Sequence, residues 1–102
     1  MAQVIWTEGA ILDLREIAEY IAFDNHEAAA DVVMRIESHI DKLSVFPYLG
    51  PVIPETPSSS ARQVVEPPCR IFYQVIGERV YILHVLRFER LFRQSMLDRK
   101  GD

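Results

Sequence analysis

The stretch CRIFYQVIGERVYILHVLR, residues 69–87, decides the fold because it contains two apolar strands that meet at Gly77-Glu78. Glycine at the first central position of a two-residue turn reaches positive φ without steric cost, so this pair predicts a type II′ hairpin turn. With this turn, two residues that lie opposite each other on the two strands have residue numbers that sum to 155. With alternating side chains, we expect Arg70 and Arg87 on one face, as diagonal neighbours about 7–8 Å apart at Cα. A three-residue turn would separate them.

The two faces of this hairpin differ in polarity. The more apolar face should pack on helices, which leaves the face with Arg70 and Arg87 open. The predicted inner face carries Cys69, Ile71, Tyr73, Val75, Val80, Ile82, His84 and Leu86.

The first half of the chain predicts a strand and two helices. QVIW, residues 3–6, is a short β-branched and aromatic strand. Thr7 is a plausible N-cap for a helix over roughly residues 8–23. Asp24, followed three residues later by a glutamate, resembles a capping box for a second helix that stops before Pro47. The short connection predicts an antiparallel helix hairpin.

The second half continues with strands. Residues 47–60 contain four prolines and predict an irregular surface loop. ARQVVE predicts a strand that ends at Pro67-Pro68, before the hairpin. RFERLFRQSMLDRK, residues 87–100, predicts a short basic C-terminal helix or a tail. We therefore expect a single domain over residues 1–102 with an α+β fold, in which a three-stranded antiparallel meander and the first strand form one sheet.

Composition narrows the functional classes. Residues 1–60 hold three basic and ten acidic side chains, a net charge of −7, whereas residues 61–102 hold eight and five, a net charge of +3, which together give −4. This asymmetry suggests an acidic partner for the second half, while the overall acidity disfavours nonspecific nucleic-acid binding. The single cysteine, Cys69, predicts a buried thiol and excludes an internal disulfide. No apolar stretch is long enough for a membrane span, and a cytoplasmic protein is expected.

Several phrases of the sequence resemble the RelE/ParE superfamily of bacterial type II toxins. These are the tryptophan of the first strand, "A..DL..IAEYIA", "L..FP..G" and "CRIFYQVIGERVYILHVLR.ER". The resemblance extends from Ile5 to about Arg93. It implies a compact toxin that is encoded beside an antitoxin, whose C-terminal segment wraps and neutralises it.

The superfamily contains two mechanisms, and the resemblance bears on both. RelE-like members cut messenger RNA on the ribosome, and ParE-like members inhibit DNA gyrase. Arg70 and Arg87 stand where RelE-like enzymes carry two phosphate-contacting arginines, and they are the candidate catalytic residues if this chain is a ribonuclease. RelE-like enzymes also carry lysines on the preceding strand and often a C-terminal tyrosine. Here ARQVVE has no lysine, and Phe92 stands near the tyrosine position.

The chemistry of RNA cleavage favours the ParE-like branch. Attack by a 2′-hydroxyl needs a proton acceptor, a proton donor and cations, and arginine supplies only the last of these. Tyr81, the titratable candidate on the open face, would lie roughly 13 Å from Arg70 at about 3.3 Å per residue. His84 is interpreted as a hydrogen-bonded core residue. The residues therefore favour a noncatalytic protein, and the resemblance to ParE-like members implies that its target is DNA gyrase. The alternatives are a ribosome-dependent messenger-RNA endonuclease and an inert member that retains only antitoxin binding.

The candidate binding residues lie in the second half, and no metal or organic cofactor is expected. The antitoxin is expected to present an acidic or amphipathic segment. A structural alternative for Arg70 and Arg87 is a salt bridge with Glu66 or Glu89. Predicted target-binding residues are Arg62, Arg70, Arg87, Arg90 and Arg93, and predicted antitoxin-binding residues are Phe88, Leu91, Phe92 and Met96.

Overall fold

The computed structural model describes residues 1–97 and confirms the predicted α+β order. Two short 3₁₀ turns, Lys42–Ser44 and Gln94–Leu97, accompany the main elements, and the predicted C-terminal segment beyond residue 97 lies outside the described residues. The strands and helices are β1 (Gln3–Trp6), α1 (Glu8–Ala22), α2 (His26–Asp41), β2 (Arg62–Glu66), β3 (Cys69–Ile76) and β4 (Arg79–Arg87).

The four strands form one sheet in the order β1-β4-β3-β2. β1 runs parallel to β4, and the meander of β2, β3 and β4 is antiparallel, as predicted. The pairing of β1 with β4 ends at Trp6 opposite Ile82, so the later residues of β4 have a strand neighbour only on the β3 side.

Each helix begins at a side-chain cap. Thr7 caps α1 as predicted, because its hydroxyl oxygen accepts a hydrogen bond from the Ala10 amide. The cap of α2 is Asn25, whose side chain accepts from the Ala28 amide at 3.0 Å. The predicted capping box at Asp24 was therefore wrong by one residue, since Asn25 and not Asp24 has the extended backbone at the helix start.

The helix hairpin packs on one face of the sheet and buries the main core there. Burial raises the pKa of the Cys69 thiol to about 11, which keeps the thiol protonated at neutral pH and confirms a buried cysteine. The core residues of this layer are Ala10, Ile17, Val32, Ile36, Ile40, Leu43, Val64, Cys69, Ile71, Tyr73, Val80, Ile82 and Val85.

The hairpin turn is as predicted, but the register beyond it is not. Gly77 has φ +59°, and the pairing follows the predicted sum as far as Tyr73 opposite Ile82. The register then shifts by one residue and leaves Leu83 without a partner, which is a β-bulge.

This bulge separates the two arginines. Arg70 lies opposite Leu86, and Arg87 lies opposite Cys69. Since directly paired residues share a face, Arg87 lies on the helix side with Cys69, whereas Arg70 lies on the other side. The expectation that both arginines share one face was wrong.

The second face of the sheet is covered, not open. Phe72 and Leu86 form a small core with Ile53 and Ala61 from the preceding loop, and all four are buried. The side chains of Phe92, Met96 and Leu97 pack against this cluster. The prediction that the sheet face with the arginines is open was therefore wrong. Part of the loop over residues 47–60 belongs to the core, because it buries the outer side of β3.

Gly50 fixes the path of this loop along the sheet. Its amide donates to the buried hydroxyl of Tyr73 at 2.9 Å, and burial raises the pKa of Tyr73. A Cβ at residue 50 would lie 2.0 Å from the carbonyl oxygen of Gln63. The loop can therefore approach β2 this closely only because residue 50 has no side chain.

No helix in residues 1–97 is both long and apolar enough to cross a membrane.

Gly50→Ala should destabilise the protein, because backbone atoms must move to relieve the contact of the added methyl with Gln63. We expect the free energy of unfolding to fall by about 1–3 kcal/mol, the usual cost of overpacking. Urea unfolding followed by circular dichroism measures this, with Ser58→Ala in the exposed part of the same loop as the control. An unchanged urea midpoint for Gly50→Ala would show that the loop can move away from β2 at little cost.

Candidate functional site

Arg70 is engaged within the fold. Its guanidinium donates to both carboxylate oxygens of Glu55, at 2.8 and 2.6 Å, and to the side-chain oxygen of Gln63 at 2.9 and 2.7 Å. It also lies 4.8 Å from the centroid of the Phe72 ring. The hydrogen bonds from Arg70 lower the pKa of Glu55. Arg70 therefore ties the loop to the sheet through a salt bridge, with Glu55 and not Glu66 as its partner.

Arg62 is tied to the same loop. Its guanidinium donates to the Gly50 carbonyl at 2.7 Å and lies 5.0 Å from the centroid of the Tyr48 ring. Two of the five predicted target-binding arginines thus make contacts that hold residues 47–60 against the sheet. Glu66, in turn, pairs with Arg35 and His39 of α2.

Arg87 lies on the opposite side of the sheet, beside α1. Its guanidinium carbon is 3.9 Å from the centroid of the Tyr20 ring, and it donates to Glu89 at 3.2 Å, so the predicted pairing with Glu89 is present. Arg90 and Arg93 are exposed and form no salt bridge with any residue of the described chain. Arg87, Arg90 and Arg93 therefore form a group of basic side chains at the end of β4 and just beyond it.

A cleft of about 330 Å³ opens between α1, the end of β4 and the C-terminal segment. It exists because β1 stops at Trp6, which leaves the edge of β4 facing α1. Tyr20 and Arg87 form part of its wall, together with Asp13, Glu16, Ile17, His84, Val85, Leu86, Arg90 and Met96.

An aspartate–histidine pair lies in this cleft. The Nδ1 atom of His84 is 2.6 Å from Asp13 Oδ2, and the same oxygen accepts the Val85 amide at 3.0 Å. The imidazole packs against Gly9, where a Cβ would lie 2.9 Å from its Cε1 atom. His84 is hydrogen-bonded as predicted, but it lies at the cleft and not in the core, since its side chain is 25% exposed.

The chemistry of this pair is that of an oriented imidazole. When Nδ1 donates to a carboxylate, the other ring nitrogen of a neutral histidine is a proton acceptor. Arg87 supplies a permanent cation in the same cleft. Sequence reasoning missed Asp13 and Tyr20 as site residues, although both belong to the phrase "A..DL..IAEYIA" that carries the family resemblance.

A second surface is an apolar groove of about 520 Å³ on the outer side of the helix hairpin. The α1 residues Ile11, Leu14 and Ala18 line it, and Ile11 is 47% exposed. Sequence reasoning predicted this helix but missed the groove. The signal was the width of the apolar stripe of α1, which includes a second row of apolar side chains beside the buried residues Ala10 and Ile17. The remaining lining residues are Trp6, Arg15, Val33 and Glu37.

The four predicted antitoxin-binding residues divide into two pairs. Phe92 and Met96 pack on the second core, where the rings of Phe72 and Phe92 meet edge to face at 5.4 Å and 89°. Phe88 and Leu91 are 51% and 78% exposed. The second pair is therefore the more exposed one on the folded chain, whereas Phe92 and Met96 are partly buried.

The chain matches known toxins over most of its length. The family model described as "ParE toxin of type II toxin-antitoxin system, parDE" matches residues 4–92. The Toxin RelE2 of Caulobacter vibrioides is 34% identical over 91 residues, which make up 89% of this chain and 100% of that protein. A chain in the solved structure "Chromosomal ParDE TA system from P. aeruginosa" is 25% identical and superimposes with a TM-score of 0.70, over 87% of this chain and 98% of that one.

These matches agree with the phrases in the sequence and with the sheet topology. A type II system also implies a cognate antitoxin as partner. The chain belongs to the RelE/ParE superfamily, within the ParE toxin family, and is the toxin component of a type II toxin–antitoxin system.

Proposed function

We propose that this toxin is a noncatalytic, ParE-like inhibitor of DNA gyrase that acts in the cytoplasm and is held inactive by its antitoxin. The observation that carries the proposal is the separation of Arg70 and Arg87 onto opposite faces of the sheet. Two arginines on opposite faces do not stabilise charge on one phosphate together. The ParE description of the matching family supports the same branch.

Within residues 1–97, the contacts of Arg70 also do not supply the groups that RNA cleavage needs. The titratable partner of Arg70 is Glu55, and the arginine neutralises that carboxylate. Phe92, near the position of the tyrosine in RelE-like enzymes, packs on Phe72 as a core residue. The side chains on this face of the sheet pack in the second core, and Arg70 stabilises the loop over residues 47–60.

The target-facing surface is then the end of β4 and the segment after it. Arg87, Arg90 and Arg93 are the predicted target-binding residues that lie outside the loop contacts. Their guanidinium groups can form charge-assisted hydrogen bonds with carboxylates or phosphates of a target. Arg62 and Arg70 act indirectly, because they hold the loop against the sheet.

The groove between the helices is the proposed docking surface for the antitoxin. An amphipathic segment that folds on binding needs a groove with apolar anchors, and Ile11, Leu14 and Ala18 provide one. The exposed side chains Phe88 and Leu91 extend the apolar contact toward the basic residues, where an acidic part of the antitoxin fits.

One observation favours the second candidate function, a ribosome-dependent messenger-RNA endonuclease. His84 is oriented by Asp13 and shares a cleft with Arg87, so a proton acceptor and a cation occur together there. In that mechanism the histidine would take the proton of the 2′-hydroxyl, and Arg87 would stabilise the developing negative charge. This site does not use Arg70.

Two assays separate these functions. Purified toxin should inhibit supercoiling by gyrase and should leave messenger RNA on ribosomes uncut. Arg87→Ala should reduce gyrase inhibition roughly tenfold, since a charge-assisted contact contributes about 1.5–3 kcal/mol. His84→Ala should retain inhibition, and Arg79→Ala, at the exposed turn, controls for lost charge. RNA cleavage that disappears in His84→Ala, with supercoiling unaffected by the wild type, would reverse the assignment.

Arg70→Ala should act on stability. Loss of the hydrogen bonds to Glu55 and Gln63 should lower the free energy of unfolding by about 1–2 kcal/mol, a discounted figure because the side chain of Glu55 is 42% exposed. The wild type should also lose this contribution as pH falls through the lowered pKa of Glu55, whereas Arg70→Ala should not. Urea midpoints between pH 7 and pH 3, roughly spanning the carboxylate range, measure both effects. Equal midpoints at neutral pH would show that the contact adds nothing.

Ala18→Glu should disrupt antitoxin binding, because it buries an unpaired charge in the groove. We expect affinity to fall at least roughly tenfold, measured by calorimetry with the full-length antitoxin. Leu12→Glu is the matched control, since Leu12 is exposed on the same helix but does not line the groove. Equal affinities for the two variants would place the antitoxin elsewhere.

A further inference from the structure

The tip of the helix hairpin combines exposed aromatic rings with uncompensated negative charge. Tyr20 and Phe23 are 61% and 92% exposed, far more than aromatic side chains in a core. They line a shallow depression together with Glu16, Glu19 and Asp24, and no basic side chain of residues 1–97 lines it. We call this surface the hairpin tip.

The charges at the hairpin tip are unfavourably placed for α1 itself. The C-terminal end of a helix carries partial negative charge, so cations stabilise it and anions do not. The last turn of α1 has no basic residue, and Glu19 and Asp24 lie at its end. None of the three carboxylates forms a salt bridge within the described chain. Negative charge at this end of α1 is therefore not balanced by an ion pair within residues 1–97.

The two helices that form the hairpin tip also carry an excess of negative charge. The two helices together, residues 8–41, hold nine acidic and two basic side chains, a net charge of −7. Arg15 and Arg35 are the two basic residues, and Arg35 is already paired with Asp31 and Glu66. A positive partner group is thus attracted to the hairpin as a whole and to the hairpin tip in particular.

One of the two aromatic rings at the hairpin tip already contacts a guanidinium. The guanidinium of Arg87 stacks on the Tyr20 ring at 3.9 Å, which is a cation–π contact within the chain. A second guanidinium or an ammonium group approaching from the Phe23 side would meet another aromatic ring and the carboxylates. This contact with Arg87 is independent of the acidic residues and points to the same ligand chemistry.

We propose that the hairpin tip binds an arginine or lysine side chain of the antitoxin, next to the segment that docks in the helix groove. The proposal rests on the groove as the antitoxin surface, and Ala18 in that groove is one helical turn or less from Glu19 and Tyr20. It predicts an antitoxin segment that is basic where it passes the hairpin tip. The acidic part of the antitoxin then pairs with the arginines beyond β4.

Two variants test the hairpin tip with the full-length antitoxin as probe. Phe23→Ala should weaken binding roughly tenfold, because it removes an aromatic ring that would face the bound cation. The double variant Glu19→Gln/Asp24→Asn should weaken binding at low salt and reduce the dependence of affinity on salt concentration. Neither change removes the cap of α2, which is Asn25.

Matched controls separate this site from general surface effects. Met34→Ala removes a large apolar side chain that is 68% exposed on α2, and Glu78→Gln removes an exposed charge outside residues 8–41. Both should keep wild-type affinity and salt dependence. If the hairpin-tip variants bind within twofold of wild type while Ala18→Glu does not, the tip proposal is wrong and the groove stands. If the tip variants lose only toxicity, the tip contacts the target, and the proposal is also wrong.

Discussion

The charge distribution of this toxin depends on one residue of β4, Leu83, which has no partner on β3. Two contacts hold the bulge in place. The Leu83 side chain is 1% exposed, so its burial favours the extra residue. The Thr7 hydroxyl donates to the Ile82 carbonyl at 2.7 Å and also contacts the Leu83 carbonyl at 3.2 Å. Helix α1 therefore begins at the point where the register of the hairpin changes.

The bulge places Arg70 and Arg87 on opposite faces of the sheet, and the two faces have different roles. On one side of the sheet, Arg70 joins β3 to the loop through Glu55, and Phe72 forms a second core. On the other side, Arg87 reaches Tyr20 on α1. With β1 ending at Trp6, the edge of β4 borders an open cleft instead of another strand. Stability and recognition thus use different arginines.

Most of the fold could be predicted from the sequence, because local patterns specify it. Helical spacing, the N-cap at Thr7 and the glycine turn at Gly77 each act within a few residues. The register shift could not be predicted. From Ile82 to Leu86 the strand is apolar apart from one histidine. Since polar and apolar residues do not alternate there, the sequence does not reveal a one-residue shift in register.

The candidate site was less predictable than the fold, for a related reason. The partners of Arg70 and His84 are Glu55 and Asp13, which come from distant segments whose paths no local pattern gives. The helix groove and the hairpin tip are properties of assembled helices. Side chains such as Ile11 have the right spacing for a core, but in the assembled hairpin Ile11 lines an exposed groove together with Val33 of α2.

The most direct test of this account is the register of β3 and β4 in solution. Cross-strand nuclear Overhauser effects in the isotope-labelled protein report which residues lie opposite each other. The account predicts contacts of Arg70 with Leu86 and of Cys69 with Arg87, together with Tyr73 opposite Ile82. Contacts of Arg70 with Val85 would instead show an unbulged hairpin, return Arg70 and Arg87 to one face, and contradict the separation on which the proposed function rests.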